Sequence, residues 1–327
     1  MRKTQTIIGD RKVLVKNPLI VDGITRAGKF LMANLLSSIK DVEPVHYLPV
    51  LDHVARLEHL GLIEKKAARE LLRSEADRVC YETLIGRSFN HRTSDKSSIF
   101  NNPRHKTYLK RLYESDGEAA VDVFHKNRLY NLFIVHEAFL NADLFFNSFP
   151  GMKVIVVQRS PLDLAYSWHQ RKLIRRIGKD PLMGEIALAS KGGSIPWHLY
   201  SRREEYHLLP SADRIVLAIS TLFEMYEEPY QKLTPKHKKS ILFVRYEEIL
   251  LHPETTVKRA AAFLKRKILP EMKWVIKREK LPNTEYFGLR ERKIKTLKRI
   301  LSKKYFDRLL SLEKRYAQST HAKTSSS

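Results

Sequence analysis

The stretch Pro18-Leu-Ile-Val-Asp-Gly23-Ile-Thr-Arg-Ala-Gly28-Lys29-Phe30 decides how this chain is read. Leu19, Ile20 and Val21 form an apolar run of the kind that fills a buried strand, and Gly23 and Gly28 bracket a turn into a helix over 30–39. A strand that turns through glycines into a helix presents main-chain N–H groups at the helix start. An anion there gains hydrogen bonds and the favourable end of the helix dipole. Arg26 and Lys29 add two cations to the same turn. Farther along, Lys153-Val-Ile-Val-Val157 leads into Arg159-Ser-Pro161-Leu-Asp163-Leu-Ala-Tyr-Ser167, again in the order strand, cation, helix. Pro161 suits the first helical position, where the N–H it lacks would go unpaired anyway. If Arg159 ends its strand, Ser167 stands near the second helical turn, and guanidinium and hydroxyl converge on one phosphate. Two such sites on one chain suit a ligand with phosphates at both ends.

Outward from these segments, strands are predicted over 14–22, 42–48, 132–135, 154–157 and 241–244, and helices over 30–39, 162–177, 211–233, 253–264 and 293–316. Leu51, Val54, Leu57, Leu60, Ala67, Leu71, Leu72, Ala76 and Val79 keep helical spacing, broken at Gly61, which reads as a helical hairpin over 51–84. Residues 87–102 read as a surface loop, 106–126 as a helix, and Gly192-Gly193-Ser194 as a turn. The expectation is an α/β, P-loop-like three-layer fold, with a central parallel sheet flanked by helices and a helical insertion at about 51–128. It forms one domain over 1–318, with a basic helical part at about 267–318 and a disordered tail over 319–327. In such sheets ligands sit beyond the carboxyl ends of the strands, where both phosphate-reading segments fall.

At 327 residues the chain is long enough to bury a full core. The lone Cys80 excludes an intramolecular disulfide framework and a cysteine-based zinc site. No run of about eighteen apolar residues is present, so no membrane span is expected. Residues 1–10 carry no apolar signal core, and the expected location is cytoplasmic. The net charge is +24, and residues 257–327 hold 21 Lys+Arg against 6 Asp+Glu. Such a field draws anionic small molecules or an acidic partner. Nucleic acid is the weaker candidate, because the chain has no zinc knuckle, aromatic RNA-binding signature or evident recognition helix.

Gly23, Gly28 and Lys29 satisfy most of the phosphate-binding pattern GxxxxGK[ST], but Phe30 stands where a nucleotide hydrolase needs a hydroxyl for Mg²⁺. The strand over 154–157 ends in Gln158 and Arg159 rather than in a metal-binding Asp. A loop that binds phosphates without holding magnesium suits a transfer that leaves the phosphate chain intact, and no metal is expected.

Together the two segments resemble the sulfotransferases that use 3′-phosphoadenosine 5′-phosphosulfate (PAPS). That family's R-x-P-x-D-x-x-x-S motif is matched in full by Arg159, Pro161, Asp163 and Ser167. Its P-loop-like turn, usually [K/R]-S-G-T-[T/S], is matched in part by Arg26-Ala27-Gly28-Lys29-Phe30. Phe243-Val-Arg-Tyr246-Glu-Glu-Ile-Leu-Leu-His-Pro253 is similar to its strand-then-YEDL-then-Pro element, so the resemblance spans about 16–266.

The resemblance implies PAPS as sulfuryl donor, with its 5′ end on Gly23, Thr25, Arg26, Ala27, Gly28, Lys29 and Phe30 and its 3′-phosphate on Arg159 and Ser167. Tyr246 would line the adenine, and Arg290, Arg292 and Lys293 of the stretch Tyr286-Phe-Gly-Leu-Arg-Glu-Arg-Lys293 would close over the 3′-phosphate. Arg26 corresponds to the family's catalytic cation and Lys29 is a second. The base would be His136 or Glu137, just after the strand over 132–135; strand alternation would send only one into the site, and loop spacing favours Glu137. The acceptor would be a hydroxyl or amine on a small molecule or glycan, and the basic surface suits an acidic one. A P-loop kinase or other nucleotide phosphotransferase, binding ATP with Mg²⁺, is the rival enzyme; a basic nucleic-acid-binding protein without catalysis is the rival from another class.

Overall fold

Strands rich in Val, Ile and Leu, apolar on both faces, are stable only where helices cover them from both sides. The computed structural model, which describes residues 8–9, 11–113 and 117–319, has this arrangement. The strands are β1 (Leu19–Asp22), β2 (Val42–Tyr47), β3 (Tyr130–Ile134), β4 (Lys153–Gln158), β5 (Ala187–Leu188), β6 (Ile195–Pro196) and β7 (Ile241–Arg245). Five of them form one sheet in the order β2-β3-β1-β4-β7, with every neighbouring pair parallel. β5 and β6 pair antiparallel on their own. The chain builds first to one side of β1 and then to the other, so the carboxyl ends of β3, β1 and β4 lie side by side where the strand order reverses. Val21 stands opposite Ile134, and Asp22 opposite Val156.

The alternation of side chains along each strand separates two helical layers. Leu19, Val21, Leu132, Ile134, Ile155, Val157 and Val244 pack with residues of the helices Lys29–Leu36 and Pro253–Leu264. Ile20, Phe133, Val154 and Val156 face the other way, onto the helical pair Pro49–His59 and Lys65–Leu84 and the helix Ala142–Ser148. A further cluster joins the helices Pro161–Gln170, Ser211–Lys232 and Lys303–Gln318. Among the described residues no helix is long and apolar enough to cross a membrane.

The expected architecture and helical hairpin are present, with local differences. The first strand starts at Leu19 rather than at 14. The helix expected over 106–126 is interrupted: the described pieces are His105–Leu109, a tight turn over Lys110–Tyr113, and Gly117–Asn127. The helix expected over 162–177 breaks at Lys172, whose φ of 52° is left-handed; the short helix beyond it turns Leu173 and Ile174 into the core. The last helix is two, Arg290–Ile300 and Lys303–Gln318. At the break Ser302 donates its main-chain N–H to buried Asp213 (3.0 Å). The loop over 87–102 is only partly a surface loop, because Phe89 and Ile99 are buried against Tyr108. Of the expected disordered tail, Ser319 is described and accepts from Arg245; 320–327 lie outside the described residues, as do 1–7 and Asp10 of the N-terminal segment.

Helical spacing cannot tell which of two adjacent leucines faces inward. Leu72 is fully buried, whereas Leu71 is 50% exposed. Leu72→Ala should cost about 2–5 kcal/mol of stability in urea unfolding, and Leu71→Ala about 0.5 kcal/mol or less. Equal losses would contradict the packing of this hairpin.

Candidate functional site

The loop after β1 is shaped by contacts that tolerate no side chain at two positions. A Cβ on Gly23 would run into the carbonyl of Val157, and one on Gly28 would enter the Tyr246 ring; Gly28 also has a left-handed φ of 106°. Arg26, though not a glycine, holds a φ of 76°. The turn is closed by Ala27 N–H donating to the Ile24 carbonyl (2.9 Å), and Trp168 Nε1–H fixes the Thr25 carbonyl (2.9 Å). The ammonium of Lys29 lies beneath the loop, 3% exposed, and donates to the carbonyls of Gly23 (2.6 Å) and Ile24 (3.1 Å). Burial pushes Lys29 down to about 8, against the pull of Asp22, Glu137 and Asp52. Buried Asp22, which accepts from the N–H groups of Ala138 and Phe139, is pushed up to about 6. Phe30 is half-buried, its ring edge-on to Tyr47 at 6.3 Å.

The segment after β4 meets this loop. Arg159 donates from Nη1 to the Arg26 carbonyl (2.8 Å), across 133 positions of sequence. Its guanidinium lies 4.4 Å from the Tyr246 ring centre and 5.5 Å from that of Tyr286. Arg26 in turn places Nε 3.3 Å from Ser167 Oγ. Burial, then the like charges of Arg171 and Arg159, lower the proton affinity of Arg26. This is a crowding of cations that an anion relieves.

Ser160 caps the helix Pro161–Gln170, and its hydroxyl donates to Glu313 (2.7 Å). Asp163 is buried and accepts from Tyr286 Oη (2.5 Å) and Lys293 Nζ (2.6 Å). Of the C-terminal cations expected to close over the site, Arg290 pairs with Glu313 (2.9 Å) and Arg292 is exposed. It is Lys293, 6% exposed, that turns inward.

The third strand end holds the two candidate bases. Glu137 takes a left-handed φ of 63°, so strand alternation has already ended, and the His136 and Glu137 side chains do not part to opposite faces as expected. Both contact one face of the helix Pro49–His59, at positions four apart. Asp52 accepts the main-chain N–H of His136 (2.7 Å) on Oδ1 and its ring Nδ1 (3.1 Å) on Oδ2; Arg56 pairs with Glu137 (3.2 Å) and with Glu185 (3.1 Å). Burial opposes the charge on Glu137, but Arg56 foremost, with Lys29, holds it ionised below the usual carboxylate range. Burial pushes Glu185 up to about 7, Arg56 opposing. His136 packs edge-on against Tyr47 at 5.0 Å.

The comparisons with known proteins can be set beside this geometry. The family model for the sulfotransferase domain matches residues 20–308, which contain all three strand ends. The chain belongs to this sulfotransferase family. It is therefore a transferase enzyme. No curated protein matches it. Among solved structures it is similar to the sulfotransferase domain of the curacin biosynthetic pathway, at 11% identity over 79% of this chain and 77% of that one, with a TM-score of 0.43. It is also similar to the sulfotransferase domain of the Synechococcus olefin synthase, at 12% identity over 97% and 99% with a TM-score of 0.42, and to a Mycobacterium tuberculosis sulfotransferase, at 12% over 89% and 76% with 0.41. The family assignment rests on the family model; likenesses this distant add nothing to it.

In this sulfotransferase the structure brings together Gly23, Thr25, Arg26, Ala27, Gly28, Arg159, Ser167 and Tyr246, and sets His136 and Glu137 beside Lys29 in one buried charged cluster. Sequence reasoning missed Asp52, Arg56, Glu185 and His198 as parts of the site, and gave Tyr286 no role of its own. Asp52 alone left a signal, as a carboxylate among apolar neighbours Leu51, Val54 and Ala55 on a helix face.

His198 is buried and neither ring nitrogen has a hydrogen-bond partner; burial pushes it down to about 4. Below its ordinary value of 6.5 the unfolded chain takes up a proton that the folded chain refuses, so stability falls as pH drops from about 6.5 to about 4. The loss from this group amounts to about 3 kcal/mol. His198→Phe should remove that part, seen as a shallower decline in urea midpoints between pH 7 and pH 4.5. Parallel declines in the two proteins would refute it.

Proposed function

We propose that the enzyme transfers a sulfuryl group from PAPS to a hydroxyl or amine on a small-molecule or glycan acceptor, with no metal. The observation that carries this reading is the contact of Arg159 with the Arg26 carbonyl, which brings the two phosphate-reading segments together. The residues fit the donor. The helix Lys29–Leu36 has no side-chain cap at its start, so its first N–H groups are free for phosphate oxygens. Gly28 leaves its Cβ position to the Tyr246 ring, a surface for the adenine. Arg159 and Ser167 hold the 3′-phosphate, the first as a planar fork and the second as a hydroxyl donor.

PAPS supplies the activated sulfuryl group; the protein binds, orients and moves one proton. Arg26 and the loop N–H groups stabilise the charge that develops on the departing phosphate. Lys29 adds its charge from beneath the loop. Glu137 is held by Arg56, so the proton of the acceptor goes to His136, whose Nε2 is not taken up by Asp52. The excess of cations in the C-terminal part of the chain favours an acidic acceptor.

3′-Phosphoadenosine 5′-phosphate (PAP) should raise the melting temperature without Mg²⁺, while ATP with Mg²⁺ should not. Arg159→Ala should weaken PAP binding about 10- to 100-fold, the worth of hydrogen bonds to a charged group. A melting shift with Mg-ATP but none with PAP would favour the kinase reading instead.

A further inference from the structure

We infer that Asp52, on the helix Pro49–His59, is a positioning residue for His136, fixing the imidazole so that Nδ1 carries its proton and Nε2 stands free to accept one from the acceptor. The inference rests on the reading of His136 as the base. Its ground is geometric. One carboxylate receives three donors: the His136 main-chain N–H (2.7 Å), His136 Nδ1 (3.1 Å) and Tyr47 Oη (3.3 Å). An ionised carboxylate only accepts, so the ring nitrogen facing it must be the protonated one, and the other is the basic one. Asp52 is ionised: burial opposes its charge, but the hydrogen bonds from His136, with the charge of Arg56, hold it below the usual range. The two bonds to His136 fix the backbone and the ring together, which sets direction as well as tautomer.

The other groups facing the ring are Lys29 from the helix after β1, Tyr47 from the end of β2, and Glu137 from the ring's own loop. Burial and then Lys29 lower the proton affinity of His136, whereas Asp52 and Glu137 raise it. Asp52 therefore keeps the imidazole basic in a place that would otherwise leave it a weak acceptor. In the transfer, the acceptor oxygen keeps the electron pair of its O–H bond and forms the new O–S bond as its proton passes to Nε2. The pair of the old S–O bond stays on the phosphate of the released PAP, next to Arg26.

The test reads the ring itself, using ¹⁵N-histidine-labelled full chain and long-range ¹H–¹⁵N spectra, with His136→Gln assigning the signal. The wild type should show the Nδ1–H tautomer for neutral His136; an Nε2–H tautomer would overturn the inference, whatever any variant does. Asp52→Asn can offer one oxygen where two donors need one each. It should lower the titration midpoint of His136 by about 1–3 pH units and mix its tautomers, while Asp52→Glu should retain most of the wild-type behaviour. An unchanged midpoint and tautomer in Asp52→Asn would leave Asp52 a merely structural residue. In PAPS turnover Asp52→Asn should lower kcat by about 10- to 100-fold, with the KM for PAPS preserved and the acid limb of the profile moved to lower pH. A wild type that ignores PAP would sink the sulfotransferase donor reading and leave the tautomer result standing, so the two failures are distinguishable.

Discussion

The guanidinium of Arg159 is the contact on which the joint between the two glycine- and proline-marked strand ends depends. It is held against the faces of Tyr246 and Tyr286 and bonded to the Arg26 carbonyl, so it ties the end of β4 to the loop after β1. A cation over an aromatic face away from water is worth about 2 kcal/mol. A lysine, being a compact ammonium, could not stack in this way and reach the carbonyl at once. The dependence spreads in both directions. Gly28 has to lack a side chain because Tyr246 occupies its Cβ position, and Tyr286 has to be held because Arg159 lies against it. Asp163 and Lys293 do the holding: the motif's aspartate bonds both Tyr286 and Lys293 of the C-terminal segment.

Behind this joint the protein buries charge on a scale that needs mutual compensation. Lys29, Asp22, Asp52, Arg56 and Glu137 are each under a tenth exposed. Every one is partnered: Lys29 by loop carbonyls, Asp22 by main-chain N–H groups, Asp52 by His136, and Arg56 by Glu137. Removing one member of such a set leaves its partner desolvated and alone, at a cost of about 3–5 kcal/mol. The arrangement is costly for stability and favourable for chemistry, because dipoles and charges already in place need not reorganise as charge develops.

Much of this was legible in the sequence. The strand at 19–22, the glycine turn and the Arg159-to-Ser167 segment could be read because their signals are local: apolar runs, glycines where φ turns positive, a proline at a helix start. The sheet order was not legible, since nothing in a strand of Val and Ile names its neighbour. The inward turn of Lys293 rather than Arg292 depends on one residue of helical phase, which charge counting does not resolve. His136 and Glu137 were expected on opposite faces because they follow a strand. A left-handed residue ends that regularity, and no sequence pattern announces a left-handed glutamate. Lys29 was read as a cation holding the 5′ end of the ligand; its burial under the loop follows from how tightly the turn folds over it.

The cluster around His136 and Glu137 has a different origin. Its two key contacts come from a helical hairpin that the family motifs do not cover. Asp52 and Arg56 stand one turn apart on the helix Pro49–His59 and meet two successive loop residues, His136 and Glu137. That register is set by packing: Leu51, Val54 and Ala55 on the same helix are buried in the layer that also holds Phe133 and Val135 of the third strand and its end. A helix that slid by one residue would rotate about 100° and carry both charged groups off their partners. The apolar core of the hairpin thus decides the direction in which an imidazole points, which links the fit of a few methyl groups to the position of a proton.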